Sequence, residues 1–587
     1  MRLLRFLASI VLWPVRLLFV ALRPLRRRRA AGRDGWVELE LQGPVMEIEA
    51  RPRLPPIVQR FLRAERGPRV RLLRLERFID AFTKDPRTKG LLVRLGPLDA
   101  GWARVSRIQA QLARARAAGK TVLVHLTHSA DNREYFAALG GTRIMAVPSA
   151  LIAPVGAAAR TIFLKETLER AGVRFEVAAA GRFKSAPEAF TRTDRSESDR
   201  EQTLALVQSI DAALVSHLAE ARKVDETQAK AWIDAAPLTG HQAVPTLLDG
   251  VAHDEDLPAE IQRLAGLLKP PALVPAGRYA SMAISTPLFR PRRVIGIVEV
   301  HGAIGESRFP AMEYLEPIAT ERTVVADLRA ALADGRIGAV VLHVDSRGGS
   351  VLASDAIYAA VRRLAAEKPV IACFGDVAAS GGYYVACGAQ AIVASPLTVT
   401  GSIGAFLMLP TWSELAVRLG LHLDVIRQRK NAAAFDPWQG VSAEEHAHLS
   451  AQIAATYRAF VAIVARARSR SIEEIEGVAQ GRVWMGSDAA RVGLVDGLGG
   501  MTEAMARARA AAKARLAEEP VVIRARKPLP RPPAPPAPPA PPEAKALGSL
   551  IRYFLQGTSG AQVAAELLAL LPAAQRSPLA YAPLSVP

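Results

Sequence analysis

The sequence is poor in the residues that build thiol or histidine active sites. It holds two cysteines in 587 residues, Cys373 and Cys387. Two thiols make no disulfide framework, and neither sits in a CxxC pair, which removes a thiolate metal site as well. Histidines number 10, but there is no HExxH. His446 and His448, in EEHAHLS, stand two apart and read as a solvated helix face. No histidine lies between His343 and His422. Acidic side chains are missing where the chain begins: residues 1–33 carry 9 arginines and the first acid is Asp34. The formal charge of +20 comes with no RNP-like, zinc-finger or helix-turn-helix pattern. Nucleic acid is therefore not the expected partner, and the basic end reads as a membrane feature.

That end, MRLLRFLASIVLWPVRLLFVALRPLRRRR, lacks a small-residue cleavage site, and its trailing arginines argue against a secretory peptide. Its apolar stretch, Phe6–Leu22, is interrupted by Pro14 and Arg16. A central arginine costs about 2.5–3.5 kcal/mol on insertion. Wound at about 100° per residue, Arg2, Arg5, Ser9, Arg16 and Arg23 share one narrow stripe, opposite Leu, Phe, Val, Ile and Trp. The expectation is a helix in the lipid interface, with a span whose Arg16 snorkels as the alternative. Arginines on both flanks leave its sidedness open.

A chain this long exceeds one core, and it repeats itself. Residues 90–156 lie on residues 338–404 without a gap, at a constant offset of 248. Tyr135 and Phe136 meet Tyr383 and Tyr384; Gly140, Pro148 and Gly156 meet Gly388, Pro396 and Gly404. Each copy alternates β-branched runs with Ala-rich helices, the pattern of a parallel α/β sheet with helical cover. The boundaries follow composition. Residues 1–33 form the anchor, 35–267 the first repeat, 268–292 a proline-bearing linker and 293–515 the second repeat. Residues 516–545 form a Pro-rich spacer, and 546–587 a tail with a short apolar helix near Ala561–Leu571.

The copies differ where chemistry would sit. The second carries DSRGG (Asp345–Gly349) and DVAASGGYYVA (Asp376–Ala386), one after each of two strands. In the first copy Ser380 is matched by Asn132 and Gly381 by Arg133; conversely Lys184, in GRFKSAPEAF, is matched by Ala432. A serine in a glycine-rich turn before a helix has backbone amides close by for an oxyanion, and Gly348 and Gly349 can offer a second amide. The stretch just after Ser380 supplies no histidine as base. A lysine can serve when neutral, and although an exposed surface lysine is the ordinary reading, the asymmetry of the repeats favours Lys184. Apolar burial beside Phe183, Pro187 and Phe190 would favour the neutral form. An active site shared between two diverged repeats is the simplest account.

AASGGYY, DSRGGS, TGSIG (Thr400–Gly404), GRFKSAPEAF and GRVWMGSDAARVGLVDGLGG (Gly481–Gly500) together resemble signal peptide peptidase A, or protease IV, in its long duplicated form, over roughly residues 35–515. The resemblance implies two tandem diverged ClpP/crotonase-like repeats and a Ser-Lys dyad that cleaves signal peptides. By position Ser380 is the nucleophile, Lys184 the general base and Ser402 the residue that orients the lysine amine. The amides of Gly381 and Gly348 form the oxyanion hole. It further implies no metal or organic cofactor, a homo-tetrameric dome, and placement on a bacterial inner membrane with the site extracytoplasmic. Arg347 departs from the family's usual proline, and the tail from Pro528 lies outside the resemblance. Two alternatives are a crotonase-like acyl-CoA enzyme and a non-catalytic membrane scaffold.

Overall fold

The computed structural model describes residues 34–47, 69–284, 293–306, 318–429, 436–512, 515–518 and 520–525, with Gly32, Ala432 and Leu579–Ala580. The basic apolar segment before Gly32, the proline run at 528–542 and the helix expected near Ala561–Leu571 lie outside these residues.

The first repeat runs β1 (Trp36–Met46), α1 (Leu72–Lys84), β2 (Gly90–Asp99), α2 (Trp102–Ala117), β3 (Thr121–Leu126), α3 (Asn132–Ala138) and β4 (Arg143–Ala146). These are followed by β5 (Arg174–Ala180), α4 (Glu197–Arg222) and α5 (Ala276–Ala283). Strands β1 to β4 form one parallel sheet, ordered β4-β3-β2-β1. Its central strands are buried on both faces, which is why GLLVRL and TVLVHL are nearly continuous apolar runs. Helix α1 forms because Leu72, Leu75, Phe78, Ile79 and Phe82 recur at helical spacing, and all five are buried against the sheet.

The second repeat comprises β6 (Val294–His301), β7 (Ile337–Ser346), α6 (Val351–Glu367), β8 (Val370–Ala379), α7 (Gly381–Ala386), β9 (Ala391–Ala394), β10 (Val399–Gly401), β11 (Ala405–Thr411) and α8 (Ala443–Arg468). Its sheet places β8 beside β7 and β7 beside β6, with both β9 and β10 on the far side of β8. Each sheet has its own main core, with Leu397, Val483 and Met485 of the second repeat joining the first and Ala178 of the first joining the second. The sheets meet along α2, where Ser106 Oγ lies 3.0 Å from Ser395 Oγ. Buried Arg107 joins Glu47 and Glu76, and Thr502 of the second repeat donates to Glu76.

The spacer expected from residue 516 begins as packed structure: Val521–Val522 pairs with β6, and Leu516 and Ile523 are buried. Two further expectations are corrected. Part of the linker at 268–292 is packed structure: Val274–Pro275 adds an edge strand to β1, where a proline is tolerated. On α5, Tyr279 is fully buried, edge-on to Phe78 and Phe82. The proline count hid an aromatic anchor. The second correction concerns the repeat offset. It remains 248 through the short helices Lys165–Arg170 and Ser413–Arg418. The two long helices, however, start at Glu197 and Ala443, capped by Ser196 and Ser442, an offset of 246. Two residues are thus missing from the second copy in between. The match of Lys184 to Ala432 falls inside the stretch where the offset changes, between Arg170 and Ser196 in the first copy and Arg418 and Ser442 in the second.

Among the described residues α4 alone is long and apolar enough to cross a membrane. It is also a core helix, with Leu206, Ile210, Leu214 and Leu218 buried along one stripe. His446 is half-buried and holds the Val177 carbonyl at 3.0 Å, so it is not a freely solvated side chain.

Candidate active site

What brings the repeats' chemistry together is a strand pair. β5 of the first repeat runs antiparallel to β11 of the second, in register from Arg174–Thr411 to Ala180–Ala405. β5 leads into the loop that bears Lys184. β11 follows directly on TGSIG. Pairing them fixes both loops at the carboxyl end of β8, where Ser380 emerges.

Ser380 is fully buried and has φ 54° and ψ −118°. That is a sparsely populated conformation for a residue with a Cβ, costing about 1–3 kcal/mol. Two main-chain bonds hold it: the Ser380 amide donates to the Gly401 carbonyl at 2.8 Å, and the Tyr384 amide donates to the Ser380 carbonyl at 2.9 Å. The turn is tight enough to need glycine on both sides. A Cβ on Gly381 would stand 2.5 Å from Ser354 Oγ, and one on Gly348 would stand 2.7 Å from the Gly381 nitrogen.

Lys184 Nζ lies 3.0 Å from Ser380 Oγ, 3.0 Å from Ser402 Oγ and 3.1 Å from the Ser402 carbonyl. A neutral amine has two N–H donors and one lone pair, and the carbonyl can only accept. Ser402 can take both donors, leaving the lone pair for the Ser380 proton. Burial alone lowers the Lys184 pKa from 10.5 to about 7, because an ammonium loses its hydration there. The shift corresponds to roughly 5 kcal/mol against the charged form.

The three residues expected from motifs thus converge. Gly381 follows the serine directly. The Gly348 amide donates to Ser346 Oγ at 3.1 Å, while the Gly349 nitrogen faces the same turn, 3.3 Å from where a Gly381 Cβ would be. Arg347 is half-buried, and with it in place Gly348 adopts φ 100°. The turn therefore forms without the usual proline.

A model of peptidase family S49 matches residues 114–267 and 362–515, more than half of the chain and a stretch of each repeat. The chain belongs to peptidase family S49. A Clp protease model also matches residues 314–398. The chain is 30% identical over 438 residues to "Serine protease SPPA, chloroplastic" of Arabidopsis thaliana, covering 73% of this chain and 64% of that protein. It is 31% identical over 390 residues to "Protease 4" of Salmonella typhi, covering 65% and 62%. "Protease 4" of Haemophilus influenzae is 28% identical over 442 residues, covering 72% and 70%. The chain thus spans slightly under two thirds of the length of the first two relatives.

Three residues of this S49 chain support the site, and two of them, Phe406 and Gln202, had no sequence signal. The Phe406 ring centroid lies 6.0 Å from Lys184 Nζ and forms part of the wall that desolvates it. Gln202, on α4, donates to the Phe183 carbonyl at 3.0 Å and to Ser185 Oγ at 2.8 Å, holding the residues on either side of Lys184. Gly481 must be glycine, because a Cβ there would stand 2.6 Å from the Lys184 nitrogen. The GRVWM motif contained Gly481, but only its approach to Lys184 reveals why.

Proposed function

We propose that this chain is a serine endopeptidase that uses a Ser380–Lys184 dyad to hydrolyse cleaved signal peptides and other hydrophobic peptides. The observation that carries the reading is the buried lysine amine 3.0 Å from Ser380 Oγ, in a chain of the S49 family. Lys184 accepts the Ser380 proton as Oγ attacks a peptide carbonyl. The Gly381 amide and one from the Gly348–Gly349 turn hold the oxyanion, and the Ser346 bond yields if Gly348 is the donor. The lysinium then protonates the leaving amine, and water releases the acyl group by the same route. An extended peptide fits the edge beside this turn. The chain's own Leu579–Ala580 lies antiparallel on Gly349–Ser350, a strand addition that any main chain can make.

The reading includes a membrane lipid contact through the basic segment at 1–33 and a homo-tetramer on a bacterial inner membrane. Support for the oligomer comes from the repeats. The counterparts of β11 and of the first half of β5 are residues 157–163 and 422–425. In the described chain neither is a strand, and Ile162 and Leu423 are 67% and 52% exposed. Pairing 157–163 of one copy with 422–425 of the next would reproduce the β5–β11 contact between subunits, head to tail. Ile162 would then face Leu423, as Pro410 faces Phe175.

The test is turnover of a hydrophobic fluorogenic peptide by wild type, Ser380→Ala and Lys184→Ala. Undiminished turnover in either variant overturns the dyad, and for Ser380→Ala would favour acyl-CoA chemistry. A disulfide between Ile162→Cys and Leu423→Cys, formed only between chains, would support the oligomer. The two native cysteines are buried and do not interfere.

A further inference from the structure

Arg104 belongs to no motif and sits in the repeat without the serine. It lies in the first turn of α2, against the second repeat's sheet, where that sheet is irregular. Val344 pairs with Phe374, but the next pair is Ser346 with Ala378, so Asp345 alone faces Gly375, Asp376 and Val377. In the first repeat β2 and β3 pair residue for residue from Gly90–Thr121 to Leu95–Leu126. The bulge carries β8 on to Ala379, directly before Ser380.

Side chains from both repeats fill this bulge. Asp345 Oδ1 accepts from the Val377 amide at 3.2 Å, and a Cβ on Gly375 would stand 2.7 Å from Asp345 Cγ. Asp376 accepts from the Arg104 amide at 3.0 Å and from the Gly101 amide at 3.1 Å. The Arg104 guanidinium spans both acids: Nη1 lies 2.9 Å from Asp376 Oδ2, and Nη2 bonds Asp345 Oδ2. His301 Nδ1 stands 3.5 Å from that same Asp345 oxygen. The side chains of Arg104, Asp345 and Asp376 are only 16%, 10% and 15% exposed. Two carboxylates held this close repel one another unless a cation lies between them. A planar fork can bond both at once, which an ammonium cannot do in the same geometry.

The two acids are the roots of the two catalytic loops. Asp345 precedes Gly348 by three residues, and Asp376 precedes Ser380 by four. We propose that Arg104 is a positioning residue for the peptidase reaction: by bridging Asp345 and Asp376 it sets the distance between the Gly348–Gly349 turn and Ser380. The proposal rests on the Ser380 reading above. A shift of a few tenths of an ångström between nucleophile and oxyanion donors weakens transition-state binding while leaving an extended peptide free to bind.

The test uses the full-length chain with Arg104→Lys, which keeps the charge but loses the fork, and with Asp376→Asn, alone and together. Ser380→Ala serves as the reference. Expected for Arg104→Lys is a 10- to 100-fold fall in kcat with KM within about twofold. Affinity for a peptide boronate that adds to Ser380 should fall by a similar factor. The double variant should lose little more than the worse single one, because the pair acts as a unit. Thermal midpoint and assembly size, measured alongside, separate this from misfolding. The proposal is overturned if Arg104→Lys keeps kcat within twofold, or if its losses vanish once activity is normalised to folded protein. Activity surviving in Ser380→Ala would sink the dyad and the clamp with it. Activity lost in Ser380→Ala but kept in Arg104→Lys sinks the clamp alone.

Discussion

The two repeats fold alike and spend the same turn on different ends. In the first, Asn132 closes its own loop: its Nδ2 donates to the Gly156 carbonyl at 2.8 Å and its Oδ1 accepts from the Gly156 amide at 3.1 Å. In the second, Ser380 leaves the corresponding loop to main-chain bonds and turns its hydroxyl toward Lys184. Beneath the turns the likeness persists. Tyr135 donates to the Leu247 carbonyl at 2.8 Å, and Tyr383 donates to the Leu494 carbonyl at 2.7 Å. The core is therefore a shared solution to burial, while chemistry is confined to residues whose hydrogen bonds were released from holding the loop.

The largest expected effect breaks the symmetry outright. Ser380→Ala should lower peptide turnover by about 10⁴-fold or more, as for other nucleophile deletions. Asn132→Ala should leave turnover within twofold and lower the thermal midpoint instead. Equal effects of the two on turnover would contradict the assignment of the site to one repeat.

Lys184 extends the contrast to pH. With its pKa near 7, kcat/KM should rise with pH along a limb of that apparent pKa, since only the neutral amine accepts a proton. Stability follows the same group. Between pH 7 and the ordinary lysine range the unfolded chain binds more protons here than the folded one. Stability due to Lys184 therefore rises with pH across that window and is lowest below pH 7. Lys184→Met should be inactive yet melt higher than wild type at pH 6, with the gain largely gone by pH 10. A melting difference independent of pH would show that Lys184 is not neutral when folded.

Ser402→Ala should cost less, about 10- to 100-fold in kcat, because the Ser402 carbonyl still holds the amine. Smallest is the effect on the paired tyrosines. Tyr383→Phe leaves the buried Leu494 carbonyl without its donor and should cost about 1–3 kcal/mol by denaturant unfolding. Tyr135→Phe should cost less, because Arg222 still donates to the Leu247 carbonyl; an equal or larger cost would contradict that sharing.

Much of this was legible in sequence because it is periodic or local. The central strands read as apolar runs and α1 as a helical stripe. Ser380 read as a nucleophile from its glycine-rich turn and the loss of its counterpart. What failed did so for physical reasons. The constant offset did not extend to the long helices, since a two-residue length difference leaves no mark until the caps at Ser196 and Ser442 are seen in place. The linker read as loop because its prolines outweighed Tyr279, whose partners Phe78 and Phe82 lie nearly 200 residues away.

By itself the sequence determined the duplicated α/β plan, the apolar cores and the kind of chemistry, because hydrophobic period and turn residues act over a few positions at a time. Only the tertiary structure decided that Lys184 reaches Ser380, that Phe406 lies beside its amine while Gln202 holds its neighbours, and that Arg104 bridges Asp345 and Asp376. Each of these depends on packing between residues some 18 to over 270 positions apart, set by the β5–β11 pairing, by α4 and by the seam along α2. No local pattern records such contacts, because a side chain's partner across a fold is chosen by geometry and burial rather than by its neighbours in the chain.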